Sequence, residues 1–243
     1  PFVHVAVDAN RKRGIQILQE EIKDLKVILL DDAYQHRSVK AGLSILLTDY
    51  SKLFFEDQLL PAGSLRESIG GVQRADIIVV TKTPEQLSPI ERRIIIKKIN
   101  PLDYQHVYFS FIAYADEIAT QESIFLPNEK KTASILLLCG IANPAPLKVH
   151  LTKLYKQVVT RYYPDHYDFK SNDLADVQKD FDAISNPLKY VITTEKDWMR
   201  LQKQDLQEQV KKLPLLYIPI KTDFSDKDKE EFNTQLLNYV RTN

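Results

Sequence analysis

The chain has 243 residues, 44% of them hydrophobic and 27% charged, with 33 basic side chains balanced by 33 acidic ones. A formal net charge of zero argues against a globally basic nucleic-acid binder. The single cysteine, Cys139, excludes an intrachain disulfide and fits a reducing, cytoplasmic setting, and no apolar run approaches the ~20 residues that a bilayer span needs.

The length suffices for two modest cores. Pro1 is not a natural start and no signal peptide is visible, so the expectation is a fragment lacking its true N-terminus. Val3 to Val7 reads as a strand. Asp8 and Asn10 offer caps for a helix through about Leu25, with Ile15, Leu18, Ile22 and Leu25 on the inward face. Val27 to Leu30 is a short aliphatic run, predicted as a buried strand of a parallel sheet. Leu43 to Thr48 is the third strand, and Asp49 to Gly63 is a loop. Ser64 is positioned to cap a short helix carrying Arg66 and Glu67, which Gly70-Gly71 interrupts or ends. Ile77 to Val80 is the fourth strand. Ser88 caps a helix through Lys98, with Pro101 after its end. This βαβ rhythm implies a doubly wound, mostly parallel sheet.

The rhythm changes near Tyr104. Val107–Tyr114 and Glu122–Phe125 read as paired strands of a ribbon linking two domains. A second βα series follows: strand Ile135–Leu138, helix Ala145–Leu154, strand Gln157–Thr160, helix Ala175–Ile184, strand Tyr190–Thr193, strand Leu215–Ile220 and a polar helix over Asp226–Val240. The expected division is 1–103 for a first α/β domain, 104–130 for the β-ribbon linker and 131–243 for a second α/β domain.

Asp31 and Asp32 carry the strongest chemical signal. They end the apolar run at Leu30 and lead into Ala33-Tyr34-Gln35-His36-Arg37. In open α/β sheets ligands bind beyond the carboxyl ends of strands. A strand ending in acids is how Walker-B-type sites hold Mg²⁺, a hard ion that prefers carboxylate and water oxygens. A turn cap beside a solvated carboxylate explains the same pair; Gln35, His36 and Arg37 tilt the balance, each being costly to hold near a sheet end without a partner. In Leu59 to Glu67, Gly63 permits a tight turn into a helix N-terminus, which favours anions, and Arg66 can clamp a phosphate; a surface Arg–Glu pair is the plainer alternative. Asp165-His166 follows another strand and suits a base or an orienting role, although a loop histidine is often a bystander. In Thr194-Glu195-Lys196-Asp197, capping accounts for Thr194 and Asp197 better than for Lys196, which can reach a phosphate or carboxylate. None of the six glycines begins G-x-x-x-x-G-K-[ST], and no G-x-G-x-x-G occurs.

Together these segments resemble one family. Asp31-Asp32-Ala33-Tyr34-Gln35-His36-Arg37 is similar to the D-D-G-[FL]-Q-H-[RY] motif of the tetraacyldisaccharide 4′-kinases, the lipid A 4′-kinases of Gram-negative bacteria. Leu60 to Glu67 resembles L-P-A-G-P-[LM]-R-E, Gly140-Ile141-Ala142-Asn143-Pro144 resembles G-I-[GA]-[NH]-P, Pro164-Asp165-His166-Tyr167 resembles its D-H loop, and Thr194 to Asp197 its T-E-K-D. Arg74-Ala75-Asp76 before an apolar strand is also similar. The resemblance implies two α/β/α domains, the first P-loop-kinase-like and incomplete here, joined by a two-stranded linker. It implies transfer of the γ-phosphate of ATP to the 4′-hydroxyl of an acylated disaccharide-1-phosphate lipid, with Mg²⁺.

By that resemblance Asp31, Asp32 and His166 are catalytic, and Asp32 is the metal-linked acid. Gln35, His36, Arg37, Arg66, Glu67 and Lys196 bind substrate or nucleotide. His166 comes from the second domain, brought to the cleft by closure, and partners an acidic base. That base and the Walker A loop are expected upstream of Pro1, so the chain alone is expected to be inactive. The implied setting is cytoplasmic and peripheral at the inner face of the inner membrane, with no nucleic-acid partner. Ala33 stands where the family has Gly, implying φ < 0 there or strain, and Ser64 replaces a common Pro. Two other readings remain: a Mg²⁺-dependent phosphohydrolase without a P-loop, and a non-catalytic substrate-docking fragment.

Overall fold

Ile77-Ile78-Val79-Val80 is apolar at every position because both of its faces are covered. It opens β2 (Ile77–Thr83), which lies between β1 (Ile45–Asp49) and β3 (His106–Tyr114), parallel to both. Ile78 and Val80 pack with Ile95 and Ile99 of α2 (Pro89–Ile99), and with Leu53 and Phe109. Ile77 and Val79 face the other way, with Tyr108, Phe224, Phe232 and Leu236. Each such fully buried aliphatic contributes about 2 kcal/mol by leaving water. Ser88 and Glu91 form the capping box that starts α2, and Asn100 ends it in a left-handed conformation.

The computed structural model describes residues 3–115 and 130–242, and the backbone alone at 118–119 and 124–125. The chain divides into two compact units, Pro1–Ile112 with Thr222–Asn243, and Ala113–Lys221. The division differs from the expected 1–103, 104–130 and 131–243. β3 belongs to the first sheet, where Tyr108, Phe109 and Ser110 are buried, rather than to a linker ribbon. The antiparallel ribbon is instead β4 (Ile118–Ala119) with β5 (Ile124–Phe125), and β4 pairs with a strand of the second sheet. Glu122 lies outside the described residues. The expected strand 215–220 splits at Pro219, which has no N–H to give a ladder: β9 (Leu215–Ile218) stays in the second sheet, while β10 (Ile220–Phe224) closes the first in the order β1-β2-β3-β10.

Two expected strands are not strands. Val3–Val7 and Val27–Leu30 have no ladder partner among the described residues, and Val5 and Leu29 are 89% and 90% exposed. An extended segment becomes a strand only when its backbone groups find a neighbour. Between these segments, α1 (Arg11–Glu21) starts where expected, with the Asn10 side chain accepting from the Arg13 N–H, and stops four residues short of Leu25. Ile15 and Leu18 within α1, and Ile22 and Leu25 just beyond it, are half-covered, and α1 itself buries no residue.

The second unit centres on β6 (Ser134–Cys139), buried throughout, with β7 (Gln157–Tyr162) on one side and β8 (Lys189–Thr194) on the other, all parallel. β9 follows β8, giving the order β5-β4-β9-β8-β6-β7. Ile135, Leu137 and Cys139 pack on Leu147 and Leu151 of α3 (Ala145–Leu154). Leu136 and Leu138 pack on α4 (Ser171–Asp182) and on Trp198 and Leu201 of α5 (Glu195–Leu201). α4 starts four residues before the expected Ala175, because Asp173 accepts the Lys170 N–H and closes its first turn. A short α6 (Gln207–Val210) precedes β9, and α7 (Asp226–Thr242) ends the chain. Because β7 and β8 leave β6 in opposite directions, the crevice beyond the carboxyl ends of β6 and β8 is a topological switch point.

Candidate functional site

In the first unit, three sequence segments meet. Asp32 sits at φ 45°, a left-handed conformation that a short carboxylate side chain tolerates. Of the two expectations at Ala33, a negative φ or strain, Ala33 has no positive φ, and the left-handed residue of the turn is Asp32. Both Asp32 oxygens are taken by Arg66, at 2.5 and 3.1 Å. These charge-assisted hydrogen bonds, and then the guanidinium charge, hold the Asp32 carboxyl below its usual range. Glu67 accepts from Arg74 at 2.7 and 2.9 Å and from Arg37 at 3.2 Å. Arg74 lies 4.6 Å over the Tyr34 ring and donates to the Tyr34 carbonyl, while the Tyr34 hydroxyl donates to Gly71 O at 2.8 Å. The carboxyl group of Glu67 also lies where a side chain on Gly71 would sit, 2.9 Å from such a Cβ.

Asp31 and His36 are exposed at this loop, and the His36 charge adds to the fields on Asp32. Gln35 turns inward, and its Oε1 is buried without a hydrogen-bond partner. The expected helix at Ser64 does not form. Ser64 instead binds the Asp57 carboxylate and receives a hydrogen bond from Lys52 at 2.9 Å, and the helical turn comes later, at Ile69–Arg74. Gly70 and Gly71 lie within that turn. Two residues missed in the sequence, Tyr34 and Arg74, hold this assembly together. Arg74 had a signal, since it opened one of the family-like stretches.

In the second unit, the segments after β6, β7 and β8 converge at the switch point. Thr194 caps α5, accepting the Asp197 N–H at 3.2 Å, as the capping reading expected. Asp197 does more than cap. It is fully buried, and its carboxylate accepts the Gly140 N–H at 2.8 Å, the Thr194 hydroxyl at 3.0 Å and Arg200 Nη1 at 2.8 Å. Arg200 also donates to Gly140 O at 3.1 Å and reaches His166 Nδ1 with Nη2 at 3.1 Å. His166 stands at φ 58°, its side chain 79% exposed, at the tip of a loop whose flanking Tyr163, Tyr167 and Phe169 pack edge-to-face into the core. Lys196 is exposed on the first turn of α5. The residue that sequence reading missed is Arg200, although an acid and a base three apart on a helix are neighbours.

Metal-binding capacity is limited. No group of three or more His, Cys, Asp or Glu side chains is placed to hold a metal among the described residues. Mg²⁺ in kinases takes one or two carboxylates and keeps waters and phosphate oxygens for the rest. An exposed, ionised Asp32 beside Asp31 fits that smaller requirement, with Arg66 now occupying the oxygens the ion would use.

Two units built on mostly parallel sheets, each with charged residues gathered on its loops, define a doubly wound α/β protein. Residues 1–241 match the family model described as tetraacyldisaccharide-1-P 4′-kinase. The tetraacyldisaccharide 4′-kinase of Bacteroides thetaiotaomicron is 41% identical over 100% of this chain and 67% of its own length, and that of Flavobacterium johnsoniae is 42% identical over 100% and 68%. The chain belongs to the tetraacyldisaccharide-1-P 4′-kinase family, and spans about two thirds of the length of the curated relatives it matches. The fold is also that of a crystal structure of LpxK from Aquifex aeolicus in complex with ATP, with a TM-score of 0.62 at 21% identity, covering 95% of this chain and 62% of that one.

Proposed function

We propose that this chain forms the catalytic body of an enzyme that transfers the γ-phosphate of ATP to the 4′-hydroxyl of an acylated disaccharide-1-phosphate, a step of lipid A biosynthesis. The observation that carries the reading is the Asp32–Arg66 pair, because it joins two of the family-like motifs through one bidentate contact. Phosphoryl transfer needs positioning and charge neutralisation more than covalent help from the protein.

The roles follow from the chemistry of each group. Asp32, with Asp31 beside it, is the acid that would hold Mg²⁺, and that ion would supply charge neutralisation at the phosphates. Arg66, released from Asp32, and Arg37 are cations able to grip phosphate oxygens in a fork. Glu67 keeps Arg37 and Arg74 in place. Gln35 and His36 offer polar groups to nucleotide or acceptor, and Lys196 a mobile charge. His166 serves the proton of the acceptor hydroxyl by orienting an acidic base. The proposal assigns neither that base nor a phosphate-cradling glycine loop to a residue of this sequence, in which no G-x-x-x-x-G-K-[ST] occurs.

The acceptor is acylated, so the reaction belongs at a bilayer surface, and we place the enzyme in the cytoplasm against the inner membrane. No helix among the described residues is long and apolar enough to cross a membrane. The test is Asp32→Asn in the full-length protein, assayed with labelled ATP and acceptor lipid. Loss of an ionised group at the phosphates should cut kcat about 100-fold or more while the fold survives. An unchanged kcat overturns the assignment.

A further inference from the structure

The geometry points to Arg200 as a positioning residue that fixes the tautomer of His166, making its Nε2–H a dedicated hydrogen-bond donor. A guanidinium carries only donors. Arg200 Nη2 lies 3.1 Å from His166 Nδ1, so Nδ1 must present its lone pair, and the ring proton belongs on Nε2. Nε2 stands 3.7 Å from Asp165 Oδ2, outside a good hydrogen bond, so the N–H is exposed and deliverable to another acceptor.

Arg200 is itself fixed. Its Nη1 is divided between Asp197 Oδ1 at 2.8 Å and Gly140 O at 3.1 Å, and Asp197 is fully buried and held by Gly140 and Thr194. The fork therefore has one arm clamped by a buried carboxylate and the other aimed at the imidazole. The supports come from the loop after β6 and from the first turn of α5 after β8, while His166 comes from the loop after β7. A bystander histidine needs no such bracket. A ring held with Nε2–H outward keeps its one basic lone pair on Nδ1, where it accepts from Arg200, and it cannot take a proton there without giving up that bond, so it orients an anionic acceptor instead of acting as the base.

The kinetic part of the test rests on the kinase reading; the spectroscopic part does not. In full-length protein at about pH 8, the ¹⁵N resonances of His166, assigned by their loss in His166→Gln, should show a pyridine-type Nδ1 and a pyrrole-type Nε2. In Arg200→Ala both should move toward tautomer averaging, and Arg200→Lys should restore part of the pattern. The same Ala variant should lose about tenfold or more in kcat, with KM for ATP changed less than about twofold. If Ala impairs folding, Arg200→Met keeps the packed stem and is read in the same way. A protonated Nδ1 in the wild type, or an imidazole spectrum unmoved by loss of Arg200, overturns the proposal. Absence of any phosphate transfer would overturn the kinase reading and leave the tautomer result to decide the role of Arg200.

Discussion

Arg92 and Asp228, 136 positions apart, form a two-armed ion pair at 2.6 and 2.7 Å. Asp228 is 1% exposed and also accepts the Phe109 N–H at 3.0 Å, while the Arg92 guanidinium lies 4.5 Å over the Phe109 ring. One carboxylate thus ties the first turn of α7 to α2 and to β3. Removing it leaves a buried N–H and a half-buried guanidinium unpaired. Asp228→Ala should lower unfolding stability by about 3 kcal/mol, measured by urea denaturation. Arg92→Lys keeps the charge and loses the fork, and should cost about half as much. A stability unchanged in Asp228→Ala would show that α7 is held by Phe232 and Leu236 alone.

That contact also marks a limit of the sequence. The apolar runs at 77–80 and 135–138 were legible as central strands, because burial on both faces needs unbroken hydrophobicity. The Ser88 and Thr194 caps were legible because capping is local. The affiliation of α7 was not, since its polar sequence gives no sign of which sheet receives Phe232. Val3–Val7 and Val27–Leu30 carry a good strand pattern, yet pairing is a property of the neighbour and not of the segment. At the candidate sites, the acids, the glycine turn and His166 stood out by motif. The partners that fix them did not: Tyr34 reads as an ordinary aromatic, and Arg200 as one more cation on a helix.

Burial pushes the Cys139 thiol up to about 12, with the nearby Asp197 charge adding to it. The unfolded thiol ionises near ~8.5, so the folded protein holds a proton that the unfolded chain releases. The sign follows: this contribution to stability is complete below ~8.5 and is lost as pH rises toward 12. Native protein should therefore react slowly with a thiol reagent at neutral pH, and unfolding should release the reactivity of one thiol per chain. Cys139→Ser, which cannot titrate in this range, should flatten the alkaline part of the stability profile. A native thiol that reacts as fast as the unfolded one would refute the burial account.

Asp197 is where the fold and the second site share one group. Its carboxylate is fully buried and satisfied by three donors, from Gly140, Thr194 and Arg200. Asp197→Asn preserves shape but turns an acceptor toward a donor, placing an NH₂ against an N–H or a guanidinium. It should cost about 2 kcal/mol, and Asp197→Ala about 3 kcal/mol, by chemical unfolding. Gly140→Ala is a gentler probe of the same joint. The added Cβ would lie 3.2 Å from Asp197 Oδ1 and 3.4 Å from Pro164 O, so the loop must shift by a few tenths of an ångström, for about 1 kcal/mol. The decisive measurement is the double-mutant cycle of Asp197→Ala with Arg200→Ala. If the pair acts as one bracket, the two losses should fall short of additive by about 1–3 kcal/mol. Strict additivity would mean that Arg200 stands by itself, and that the buried carboxylate serves only the caps of Gly140 and α5.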